Sequence, residues 1–202
     1  VRLATPDGPT IGYSGDFTSE DEPPECDILI IDATHGTPQF NKKNTDEESL
    51  ERRLLEFVER EINNGKPVVI HAVRGKLQEL MSVVSSSTEI ASSTHFYSSK
   101  EDIAISKIYN RHDDFDIRDI LQDNDEDGFD YRNGVNPFVE FSAGPNPKRY
   151  EQSGKAFGIH VMGYLGEWDC IERESSIDFQ MSNHATFENI IKYVEKSQAT
   201  KI

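Results

Sequence analysis

The stretch EFVEREINNGKPVVIHAVRGKLQELM, residues 56–81, decides the fold class. Its front closes a helix, because Leu50, Leu54, Phe57, Val58 and Ile62 recur at helical spacing and Gly65 with Pro67 stops the run. PVVIHAV (67–73) then reads as a short β-branched strand buried on both faces. Gly75 restarts a helix through Leu77, Leu80, Met81 and Val84. Helix, strand and helix in 26 residues is the unit of an α/β sheet.

The same alternation extends outward. Thr45 and Glu48 form a capping box for the first helix. Upstream, residues 1–13 read as two short strands around the turn TPDGPT, and CDILIID (26–32) as another strand buried on both faces. Downstream, TEIASSTHFYSS (88–99) reads as a strand with its exit loop, and Ile103, Ile105, Ile108 and Tyr109 mark a third helix. PFVEFSAG (137–144) and FGIHVMGYLG (157–166) are two further strands, each running into glycine. Phe187, Ile190, Ile191 and Val194 mark a last helix. Residues 113–134 are rich in acids and poor in apolar groups, which predicts a mobile surface insertion. The order predicts an α/β fold with a mainly parallel, doubly wound sheet and helices on both faces. Chemistry in such sheets gathers where strands end, and Asp32, His71, Ser142 and Gly163 fall at or near such ends.

The chain has 202 residues and a net charge of -16, from 37 acids against 21 bases. That balance excludes the broad basic face of a duplex-DNA binder and confines any nucleic-acid contact to a local cleft. Cys26 and Cys170 match no metal or redox spacing and fit a reducing compartment, so the cytoplasm is the expected location. No run approaches about 18 apolar residues, so no membrane span is expected, and residues 1–25 do not resemble a signal peptide.

Several short stretches carry polar chemistry. SGDFTSEDEPPECDILIIDATHG (14–36) ends two segments on Asp16 and Asp32. A carboxylate at a strand's carboxyl end reaches a cleft without the cost of mid-strand burial, although it also serves as an ordinary turn former. In MSNHATFENI (181–190), His184 stands at the entry to the last helix, where capping and catalysis are both open to it. FSAGPNP (141–147) offers small residues whose amides form an anion-binding nest, without the spacing of a phosphate loop. DNDEDG (123–128) opens like a calcium loop, but its twelfth position is Gly134 instead of Glu, so a solvated acidic loop is expected. The six histidines form no HxH or HExxH pair.

Taken in order, these stretches resemble the β-CASP branch of the metallo-β-lactamase-fold nucleases. IGYSGDF (11–17) looks like the fourth metallo-β-lactamase motif, and DILIIDATHG (27–36) looks like β-CASP motif A. VEFSAGP (139–145) is similar to the serine-glycine loop near substrate phosphate, and MSNHAT (181–186) to motif B with Asn183 in place of Gly. Residues 65–81 keep Gln78 and Glu79 of a further family pattern but scramble it at Arg74-Gly75-Lys76.

The resemblance implies a partition into an end fragment of the metallo-β-lactamase domain (1–25), a β-CASP domain (26–180) and a return segment (181–202). It implies a metal-dependent nuclease that hydrolyses single-stranded RNA, or DNA, with two zinc ions in the complete enzyme; a homodimer is compatible with it. Asp16 is then a metal ligand, Asp32 the acid that orients His184, and His184 the proton donor. Ser142, Gly144 and Ser182 would contact phosphate. The zinc-binding His-x-His-x-Asp-His cluster and motif C lie outside the chain, so the chain alone is expected to hold no tight zinc pair and to catalyse little. The rival expectations are a β-CASP module that binds or scaffolds without hydrolysis, and an unrelated nucleotide-binding α/β domain.

Overall fold

The computed structural model describes residues 1–4, 6–18, 21–40, 47–111, 115–122, 137–143, 156–163, 168–182 and 184–202. The expected capping box at Thr45, the DNDEDG loop and Gly144 lie outside the described residues. The fold is α/β, with a mainly parallel sheet and accompanying helices. No described helix is long and apolar enough to cross a membrane.

Two compact units divide the chain: Val1–Thr45 with Ser182–Ile202, and Asp46–Met181. In the first, β1 (Arg2–Leu3) pairs antiparallel with β2 (Ile11–Tyr13), which pairs parallel with β3 (Ile28–Ile30). The outer edge of β3 meets Lys201, whose carbonyl accepts the Leu29 amide at 2.9 Å. Residues 26–32 were expected to be buried on both faces. In β3, however, Leu29 is buried while Ile30 is 54% exposed. The reason is that the last helix α5 (Phe187–Ser197) covers one face of this small sheet, while Tyr13 and Ile30 on the other stay exposed among the described residues. Phe17, Leu29, Ala185, Ile190 and Tyr193 form that covered core. The helix accordingly buries Ile190 and Tyr193, leaving Ile191 of the expected stripe outside.

The second unit holds a seven-stranded sheet in the order β6-β5-β7-β4-β8-β10-β9. Its centre is β4 (Val68–Ala72), buried at every position and flanked in parallel by β7 (Phe138–Ala143) and β8 (Phe157–Met162). Outward lie β5 (His95–Ser98) and β6 (Ile120–Gln122) on one side, and β10 (Ser176–Gln180) then β9 (Cys170–Glu172) on the other. The β10–β9 pair alone is antiparallel in this sheet.

The helices α1 (Glu47–Asn63) and α2 (Lys76–Ser86) bury the positions their periodicity marks: Leu50, Leu54, Phe57, Val58 and Ile62, then Leu77, Leu80, Met81 and Val84. They pack with Ile90 on the sheet face formed by Val68, Ile70, Val139, Phe141, Ile159, Ile177 and Phe179.

Four points of the expected pattern are corrected in this unit. TEIASS is helix α3 (Thr88–Ser93), not strand, because the Ser87 side chain caps it by accepting the Ile90 amide, and the strand starts only at His95. β9 and β10 were not foreseen; Asp178 and Gln180 break the apolar run of β10 yet are buried. The acidic stretch contributes β6, paired parallel to β5, and its other residues from 123 onward lie outside the described set. In α4 (Lys100–Tyr109) the buried positions are Asp102 and Ser106, and the expected Ile103, Ile105 and Ile108 are not among them.

Phe179 is fully buried and meets Phe57 edge to face at 6.0 Å. Phe179→Ala is expected to lower stability by roughly 3–5 kcal/mol, read as a shift in the urea midpoint; a loss under about 1 kcal/mol contradicts the packing described.

Candidate functional site

The first unit gathers three of the residues singled out by sequence. Donor atoms of Asp16, Asp32 and His184 all lie within 4.8 Å of one another. Two strand exits set this up. β2 and β3 run side by side with Tyr13 opposite Ile30, so the segments that follow them leave from the same edge. Gly12 allows the close approach behind them, since a Cβ there would stand 2.6 Å from the Cys26 sulfur. The Ser14 hydroxyl ties the two exits together, accepting the Asp32 amide at 3.0 Å and donating to the Gly15 carbonyl at 2.6 Å. Gly15 has φ +66°, the left-handed turn that presents Asp16. Phe17 then anchors the segment on Tyr193 of α5, ring centroids 4.2 Å apart.

Asp32 is held on both oxygens. Its Oδ1 accepts the Thr34 amide at 3.0 Å and the Thr34 hydroxyl at 2.6 Å. Its Oδ2 contacts Nδ1 of His184 at 2.7 Å, a bond between residues 152 positions apart. Burial pushes the Asp32 carboxyl up, but the bonds from Thr34 and His184 outweigh it and hold the group below its ordinary value. His184 precedes α5, whose N-cap Thr186 accepts the Asn189 amide. Its own amide donates to the Ser182 hydroxyl at 3.2 Å. With Nδ1 engaged by the carboxylate, Nε2 is the other ring nitrogen able to donate or accept.

Ser142 belongs to the second unit, near the end of β7, and Gly144 lies outside the described residues. Ser142 is one member of a polar row that sequence reading did not assemble. The register sets Ser142 opposite His71, His71 opposite His160, and His160 opposite Asp178 across four parallel strands. The two imidazoles are 5.3 Å apart between centroids. His160 Nδ1 contacts Asp178 at 2.9 Å, and Arg173 pairs with the other Asp178 oxygen. The missing signal was β10 itself: without that strand, Asp178 has no place beside His160.

The donor set does not fit a pair of zinc ions. A catalytic zinc takes about three protein ligands, and Asp32 Oδ2 is already committed to His184. Among the described residues this group of three is the one such cluster, and its Asp16 is exposed.

No protein-family model matches the chain. Over 87 residues it is 33% identical to a protein of Acidianus ambivalens described as "Uncharacterized protein in lig 3'region". The alignment covers 42% of this chain and 60% of that protein, so the match spans less than two thirds of the relative.

Two outcomes are expected. The lowered Asp32 carboxyl stabilises the fold fully above the ordinary carboxylate range, near about pH 4, and that contribution is lost as pH falls through the depressed value. Asp32→Asn is therefore expected to destabilise the chain at neutral pH and to narrow its loss of stability on acidification, followed by denaturant melts at several pH values; parallel pH curves for the two proteins contradict this. Metal analysis of the purified chain is expected to return well under one zinc per chain, and a stoichiometric pair contradicts the ligand count.

Proposed function

We propose that this chain is the β-CASP part of a nuclease that hydrolyses phosphodiester bonds in single-stranded RNA, with Asp32 and His184 as its proton-transfer pair. The observation that carries the reading is the 2.7 Å contact between a strand-exit carboxylate and a helix-entry imidazole, at the positions where the β-CASP resemblance puts its motif A acid and motif B histidine.

The chemistry follows from that contact. When a phosphodiester is cleaved, negative charge develops on the departing ribose oxygen, and a proton delivered there lowers the barrier. A protonated His184 donates from Nε2 to that oxygen. Nδ1–H stays on Asp32, whose charge stabilises the imidazolium and fixes the ring. Thr34 holds the second oxygen of Asp32, so the carboxylate does not turn away. The residues of this chain do not complete a zinc pair, so zinc would supply an attacking hydroxide only with further ligands; the step assigned to this chain is the proton transfer. Ser182 stands beside the His184 backbone, in keeping with a phosphate contact at that loop.

A second reading, a β-CASP module that binds or scaffolds without cleavage, has its own support. Arg74 bonds Asp102 at 3.0 Å, and Lys76 is buried in an ion pair with Glu79. The two bases of the drifted segment are thus neutralised within the second unit.

Hydrolysis of a labelled single-stranded RNA by the protein that carries this chain decides between the two. His184→Ala is expected to slow turnover by roughly 10²–10⁴-fold with RNA affinity held. Turnover unchanged by the substitution removes His184 from the reaction, and RNA bound without cleavage by the unmutated protein favours the scaffold.

A further inference from the structure

We propose that His35 is a positioning residue for His184, acting as an aromatic wall that fixes the plane of its imidazole. The inference rests on the reading of Asp32 and His184 as the proton-transfer pair.

A hydrogen bond to one ring nitrogen does not by itself fix an imidazole. The χ2 torsion of histidine is broad and roughly two-fold, so the ring can rock or flip and lose Nδ1 from its partner. His184 is constrained by Asp32 on one side, and His35 supplies a second side. Its ring meets that of His184 at 5.7 Å with an interplanar angle of 70°, an edge contact. On its other side His35 stacks on Phe40 at 4.7 Å and 13°. The three rings form a column with His184 at its end.

The chain between these rings is folded to hold that column. Asp32 receives both Thr34 bonds at its start. The Gly36 amide then donates to the Ala33 carbonyl at 2.9 Å, in a turn so tight that a Cβ on Gly36 would stand 2.8 Å from that oxygen. A single 3₁₀ turn, Pro38–Phe40, follows and packs against α5, the helix that His184 precedes. His35 is only 6% exposed, so its ring is withdrawn from solvent. Ring shape is what the column uses: stacking on Phe40 and an edge contact with His184 need a flat aromatic group at position 35.

The test uses the chain itself, labelled with ¹⁵N-histidine, and reads the His184 ring by NMR. In the unmutated chain Nδ1 is expected to carry a proton held on Asp32, with a His35–His184 ring-to-ring NOE. An aromatic contact of this kind shifts an equilibrium by roughly two- to tenfold, so His35→Ala is expected to raise the exchange rate of the His184 ring proton by that factor and to mix the two tautomers. His35→Phe restores the original spectrum. Should His35→Ala fail to fold, Phe40→Ala, which removes the far side of the column, is expected to loosen His184 in the same direction. An unchanged tautomer and exchange rate in His35→Ala or Phe40→Ala overturns the proposal, as does a failure of His35→Phe to restore them. Asp32→Asn separates the two ideas. If it shifts the His184 ring signals while the His35 and Phe40 variants do not, only the wall is wrong; if it leaves them unmoved, the pair itself is wrong.

Discussion

One hydrogen bond between residues 152 positions apart, Asp32 to His184, joins the two ends of the first unit at the candidate site. Neither partner is held by that bond alone. Asp32 is fixed by Thr34 and by the Ser14 hydroxyl on its amide, and His184 by Ser182 and by its place ahead of α5. The two reach each other because β2 and β3 leave the small sheet side by side and α5 covers that sheet's inner face. The packing of Phe17, Leu29, Ile190 and Tyr193 is therefore what brings a carboxylate and an imidazole into contact.

The second unit handles polar groups in another way. One face of its sheet is a continuous apolar core, closed by α1, α2 and α3. The alternate positions of its central strands carry His71, Glu140, Asp178 and Gln180, all buried. Such groups are costly away from water unless partnered, and Asp178 is partnered twice, by His160 and by Arg173. A sheet built for packing alone would place apolar residues there.

How much of this was legible depended on which physical signal each part relied on. The helix–strand–helix core was plain, since Leu54, Ile70 and Leu80 follow the periods their elements demand and all are buried. The run Ile28–Ile30 was misjudged because apolar composition does not reveal how many faces of a sheet find a cover. α3 was hidden by its serines and threonine, which favour caps and turns in isolation, yet Ser87 used that tendency to start a helix. β10 was hidden by Asp178, whose burial makes sense only with His160 on the neighbouring strand. Asp32 and His184 were individually ambiguous as turn former and helix cap. Their pairing was only what the family resemblance implied, while the ring contacts of His35 with Phe40 and His184 depend on geometry that no spacing encodes.

The central claim is that His184 hands a proton to the departing ribose oxygen, and a substrate whose leaving atom needs no proton tests it most directly. In the protein that carries this chain, RNA with a bridging sulfur in place of that oxygen is expected to be cleaved by His184→Ala at close to the unmutated rate, although the variant is slow on ordinary RNA. An equal deficit on both substrates, or no cleavage of either by the unmutated protein, contradicts the account.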